Sequence, residues 1–185
     1  MRITEAQLDL RRAYVGAGPG VMISGLVWTI AAWAQHSRGI GTGFALLFFG
    51  GMLIYPLSKT VCRLVFRRDN ESAENPLGMS ILEGTLAMIG GLFAAYLFLG
   101  PAPEMVFPLA AIAVGTHYFL FKTAYGERLF WLLALIITAI GVGDIYVAQM
   151  HGWTAPLVAA TELVFGLVLT VRATAASKAA NAIAG

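Results

Sequence analysis

Six long apolar runs leave this chain one solvent in which it can fold. They lie near Gly18–Gln35, Gly43–Leu64, Leu77–Leu99, Glu104–Phe121, Leu129–Gln149 and Trp153–Val171. A helix needs about 20 such residues to cross a bilayer. Transmembrane strands would need an alternating pattern about ten residues long, whereas these runs are continuously apolar. The predicted fold is all-α: a polytopic membrane protein, one six-transmembrane-helix bundle over residues 1–185. Only 12% of the residues are charged and 58% are hydrophobic, where a soluble domain carries roughly 25% charge. That balance excludes a soluble globule and excludes disorder.

The breaks between runs have physical causes. His36-Ser37-Arg38-Gly39 is polar and flexible, and Arg67-Arg68-Asp69-Asn70-Glu71 is a run of charge and amide. Gly100-Pro101-Ala102-Pro103 cannot continue a helix. Tyr125-Gly126-Glu127-Arg128 and His151-Gly152 are short turns. Links this short predict antiparallel neighbours. Met1 to Tyr14 is polar where a leader would be apolar, so no cleavable signal is expected. Thr4–Tyr14 reads instead as a surface helix capped by Thr4. Every lysine and arginine except Arg38 then falls on one side of the membrane, so both termini are expected in the cytoplasm. On that reading Trp33 and Trp153 mark the outer interface and Trp131 the inner one.

Four polar side chains inside the runs stand out. An ionised group at the bilayer centre costs about 2.5–3.5 kcal/mol on insertion scales. Glu83 lies two turns into the third run, Glu162 near the middle of the sixth, Asp144 toward the end of the fifth, and His117 one turn from the end of the fourth. Each shares a helical stripe with small residues: Glu83 with Ser80, Ala87, Gly90 and Ala94; Glu162 with Ala155, Ala159 and Gly166. Asp144 aligns with Gly141 and Ala148, and His117 with Ala110 and Ala113. Small residues line contacts between membrane helices, so all four are expected to face the bundle interior. They are the candidates for binding a proton or cation. The alternative is a protonated acid acting as packing glue, bonded to backbone or to His117. The glycine pairs Gly16-xxx-Gly20 and Gly39-xxx-Gly43 are read as helix contacts.

Other chemistries find no support. The lone Cys62 excludes an internal disulfide and a thiolate metal cluster. There is no phosphate loop, no HExxH and no histidine cluster for haem or iron. Ser24-Gly25 lacks the preceding glycine of a nucleophile elbow, having Met22 there. No catalytic residue, metal or cofactor is assigned, and an enzyme is not expected. The expected partner is the lipid bilayer. A homo-oligomer is compatible with the sequence, and the net charge of +2 gives no case for nucleic acid.

The stretches Pro19-Gly20-Val21, Ser24-Gly25-Leu26-Val27-Trp28 and Gly50-Gly51-Met52-Leu53-Ile54-Tyr55-Pro56-Leu57 carry a resemblance. So do Asn75-Pro76-Leu77-Gly78 with Glu83, and Tyr118 through Tyr125-Gly126. With these, most of the chain resembles a family of small bacterial integral membrane proteins known only as a domain of unknown function. The resemblance implies a bacterial cell membrane location and carries no activity. His117 stands where that pattern more commonly has a basic residue, which counts against a ligand role for it.

The sequence thus leads to two functional expectations. One is a small proton- or cation-coupled transporter using the buried acids. The other is a membrane scaffold or accessory subunit whose acids are structural. Pro76-Leu77 before Glu83 and Pro156-Leu157 before Glu162, in registers that differ by one residue, fit either an inverted repeat of three helices each or a chance likeness of composition, which the thin flanking similarity favours. Such repeats place a site at the midplane between halves.

Overall fold

The computed structural model describes residues 1–147 and 150–184, with side chains described through residue 179. The chain is 86% helical, and no strand occurs among the described residues. The α-helices are α1 Ile3–Ala13, α2 Gly18–Arg38, α3 Ile40–Leu64, α4 Pro76–Tyr96, α5 Val106–Tyr125, α6 Leu129–Tyr146 and α7 Thr154–Ala184. Six of these, α2 through α7, are long and apolar enough to cross a membrane.

The first break is narrower than the sequence suggested. Helix α2 runs through His36, Ser37 and Arg38, and the reversal falls on Gly39 alone, whose φ of 94° suits glycine. Helix α6 ends at Tyr146, before the expected Gln149. Ala148 and Gln149 lie outside the described residues.

The six long helices follow one another around a ring in chain order. The ring closes where the first, α2, packs on the last, α7. Glycines set most of these contacts, because they let backbones approach closely. A Cβ on Gly25 would meet the Leu163 backbone nitrogen at 2.9 Å, and one on Gly43 would meet the Ala31 carbonyl at 2.8 Å. Gly115 and Gly141 do the same between α5 and α6, and Gly91 sits against Ala113 between α4 and α5. The exception is the seam between α3 and α4. These consecutive helices barely touch, and Gly51 and Gly78 on its two walls have nothing within 4 Å of a built Cβ.

Helix α1 is amphipathic and lies beneath the bundle. Ala6, Leu10 and Ala13 form its buried stripe. It begins one residue earlier than expected, and Thr4 is not its cap. Instead the Glu5 carboxylate accepts the Arg2 backbone N–H at 2.9 Å and the Arg2 guanidinium at 2.8 Å. Those bonds hold the Glu5 carboxyl below the ordinary range. Arg11 donates to the Tyr125 carbonyl, and the Gln7 amide donates to the Thr123 carbonyl at 2.8 Å. On the other flank the Asp9 carboxylate accepts the Ser72 N–H at 2.8 Å and the Asn75 amide at 3.0 Å. Asn75 also caps α4, accepting the Leu77 N–H. One rim of the bundle is therefore tied together by α1, the link between α3 and α4, and the end of α5.

Candidate functional site

The seam between α3 and α4 opens into a cavity of about 550 Å³. Its back wall is formed by α2 and α5, through Val21, Ser24 and Trp28 on one and Val114, His117 and Tyr118 on the other. The cavity reaches the α1 rim at Tyr14, Tyr55, Ser58 and Glu71. Most of its lining is apolar. The polar exceptions fall at two levels, one at the rim and one deep between α2 and α5.

At the deep level stands Glu162. It comes from α7 and is 0% exposed. Its Oε1 accepts the Tyr118 hydroxyl at 2.9 Å. The buried Ser24 hydroxyl stands beside both residues. Close packing of α2 on α7 brings them together, since Gly25 and Gly166 are the points of contact on either side. Ser24 and Tyr118 line the cavity, and Glu162 lies directly behind them. This arrangement can hold a proton on a carboxyl group and pass it through one hydroxyl toward the cavity.

The other expected site residues are placed differently. Asp144 is buried at the opposite rim, where it pairs with His151 Nδ1 at 2.6 Å and accepts the Thr154 hydroxyl. That cluster joins the end of α6 to the start of α7 and lies away from the cavity. His117 is partly buried against Gly84, with Nδ1 lacking a partner. It lies between the main cavity and a smaller one of about 270 Å³ between α4 and α5. It does not pair with an acid. Among the described residues no group of three His, Cys, Asp or Glu side chains is placed to hold a metal.

Glu83 corrects the sequence reading. It points outward from α4, together with Ala87, Gly90 and Ala94, and does not face the bundle interior. Helix α4 carries two small-residue stripes, and α5 takes the one containing Gly84 and Gly91. The stripe holding Glu83 is left uncovered. Glu83 and Glu162 therefore do not occupy equivalent environments, and the paired-glutamate site drawn from an inverted repeat is not formed.

The rim end of the cavity carries a second polar group that sequence alone did not single out. The Tyr14 hydroxyl donates to Glu71 Oε2 at 2.7 Å and lies 3.1 Å from the Tyr55 hydroxyl. Burial first, then the bonds to Tyr55 and Glu71, push the Tyr14 phenol well above its ordinary range, so it stays a neutral donor. The tight turn at Val15, Gly16 and Ala17 delivers Tyr14 to this position. All three have positive φ, a conformation that costs roughly 1–2 kcal/mol at a non-glycine residue. Ser24 entered the sequence reading only as a rejected nucleophile, and Tyr118 and Glu71 carry no cost that marks them inside an apolar run. A tyrosine within an apolar run, or an acid in a link, gives no such signal.

Comparison with curated proteins and with solved structures gives no match. A family model matches residues 3–172, which is nearly the whole bundle together with α1. The resemblance carried by Pro19-Gly20-Val21 and its companion stretches is thereby placed, and the chain belongs to the family of unknown function DUF7010.

Proposed function

We propose that this protein is a small proton- or cation-coupled transporter of the bacterial cell membrane, with both termini in the cytoplasm. Glu162 is the exchangeable acid. Ser24 and Tyr118 connect it to the cavity between α3 and α4. The observation that supports this reading most strongly is the fully buried Glu162 carboxyl held by Tyr118 and flanked by Ser24, two hydroxyls that line the cavity. Basic side chains gathered at the α1 rim support the orientation.

The test is proton movement in proteoliposomes that hold a pH-sensitive dye and face an imposed potassium diffusion potential. The wild-type protein is expected to acidify or alkalinise the lumen faster than empty vesicles. Glu162→Gln is expected to remove the difference, and Tyr118→Phe to slow it. Glu83→Gln is expected to leave it unchanged. Wild-type vesicles that behave like empty ones would end the transport reading.

One observation favours the scaffold reading instead. Glu83 lies about 10 Å along α4 from Pro76, at about 1.5 Å per residue, on a face that none of the described residues covers. A second protein against α4 would shield it. Native mass measurement from lipid nanodiscs tests this, and a monomer as the only species would set the reading aside as self-assembly.

A further inference from the structure

We propose that the cavity between α3 and α4 binds an amphiphilic cation: an apolar body lodged between the two helices, with its positive group at the Tyr14–Tyr55–Glu71 rim. The proposal names the solute class for the transporter and rests on that reading for translocation. Binding itself stands on separate residues.

Three observations carry it. The first is the volume, about 550 Å³, which falls in the range of about 300–1,000 Å³ typical of small-molecule sites. The walls are apolar over most of their length, with Trp28, Leu47, Ile81 and Leu92 among them. A ligand there must present mainly hydrocarbon or aromatic surface.

The second is the chemistry of the rim. The Glu71 carboxylate accepts the hydroxyl of Tyr14, whose ring centroid lies 6.2 Å from that of Tyr55 with the planes tilted by 44°. A carboxylate with aromatic faces is the arrangement that holds an ammonium or another organic cation. Of the basic side chains at this rim, Lys59 engages the Tyr55 ring alone and Arg68 is directed elsewhere. Lys59 lies 5.7 Å from the Tyr55 ring centroid and is not part of the cavity lining. Arg68 is directed to Ser177 on α7. Among the described residues Glu71 forms no ion pair within 4.0 Å. Glu71 is thus a carboxylate free of an ion pair among the described residues, on a rim where basic side chains otherwise gather.

The third is access. Because α3 and α4 barely touch, the seam opens sideways along the membrane as well as at the rim. An amphiphile partitioned into the bilayer can slide in with its charge at interface height. Gly51 and Gly78 keep both walls bare.

The experiment uses the full chain in lipid nanodiscs and titrates tetraphenylphosphonium by calorimetry, with empty nanodiscs subtracted. Tetraphenylborate, of the same shape and opposite charge, is the matched control. Saturable binding of the cation and none of the anion is expected. Glu71→Gln is expected to weaken binding about tenfold or more, corresponding to loss of one charge contact of about 1.4 kcal/mol. Gly51→Leu and Gly78→Leu, which fill the cavity from opposite walls, are each expected to abolish it. Because both project into open space, at least one should retain the wild-type unfolding profile, and that variant is the one scored. Glu162→Gln is expected to bind normally while losing proton flux. Equal binding of the anion, absent binding of the cation, or unchanged affinity in Glu71→Gln or in a folded plugged variant would overturn the proposal. Cation binding without any proton flux would leave the site standing and remove the transport reading alone.

Discussion

Replacing Gly166 by alanine tests the closure of the helix ring where α2 and α7 pack backbone to backbone. The new Cβ would lie 2.5 Å from Met22 Cγ, 2.6 Å from the Met22 backbone nitrogen and 3.0 Å from the Gly18 carbonyl oxygen. The methionine side chain can swing aside, but the backbone atoms cannot. Ordinary contact begins near 3.4 Å, so α2 and α7 must part by roughly 0.8 Å there. Overpacking of this kind costs about 1–3 kcal/mol, and the upper half applies because backbone is the obstacle. Alanine returns about 0.5–1 kcal/mol through its better helix propensity. The net loss is about 1–2 kcal/mol, a factor of roughly 5–30 in the folding equilibrium. Gly90 on α4 is the control, since nothing stands within 4 Å of its Cβ position. Gly90→Ala should gain about 0.5–1 kcal/mol. Reversible unfolding in bicelles, followed by tryptophan fluorescence, measures both. If Gly166→Ala matches or exceeds wild-type stability while Gly90→Ala gains, α2 and α7 do not meet at this distance. The placement of Ser24 beside Glu162 would then fail with it.

Two further outcomes follow from the rims. Asp9→Ala leaves the Ser72 N–H and the buried Asn75 amide short of an acceptor, which costs about 1–3 kcal/mol; faster amide exchange near residues 72–75 would register it, and unchanged exchange would refute it. Partial burial raises the Asp9 pKa, but bonds from Asn75, Ser72 and Arg12 outweigh this and leave it lowered. Its stabilising contribution should therefore be present above about pH 4 and fade as pH falls through the lowered value; D9A should lack that acid-side loss. At the opposite rim, Asp144→Ala strands the buried Thr154 hydroxyl and should cost about 1–3 kcal/mol. The double variant with Thr154→Val should recover part of that loss in the same unfolding assay, and strictly additive losses would mean that the two groups do not interact.

Much of the architecture was legible in the sequence because solvent, more than packing detail, dictates it. Continuous apolar runs that must satisfy their own backbone in lipid can only be helices, and the breaks at Pro101, Pro103 and Gly126 end them for local reasons. The packing rule was less decisive. Gly16 and Gly20 were read as a contact pair. Both do lie against other helices, Gly16 on Ala173 of α7 and Gly20 on Ser58 of α3, but Gly16 has positive φ in the turn before α2, and the closest α2–α7 approach falls at Gly18, Gly25 and Gly166. A small-residue stripe states that backbones can approach there, and it does not state that they do.

Glu83 and Glu162 show what such a stripe leaves undecided. Both sit on rows of alanine and glycine in apolar helices, and on pattern alone they are the same residue. Their fates differ because of position in the ring. Helix α7 is clasped by α2 and also contacts α5 and α6, so its polar row is enclosed on every side. Helix α4 packs mainly on α5, and the seam toward α3 stays open, so one of its rows must face outward. Enclosure also decides which chemistry each acid can have. Glu83 can lengthen toward the headgroups and meet water, as side chains near helix ends do. Glu162 has only Tyr118 and Ser24, and through them the cavity. The open seam brings the cavity up to Tyr118 and Ser24, and so to Glu162 behind them. The unequal packing of α3 and α4, more than either glutamate, is therefore what makes a site of this fold.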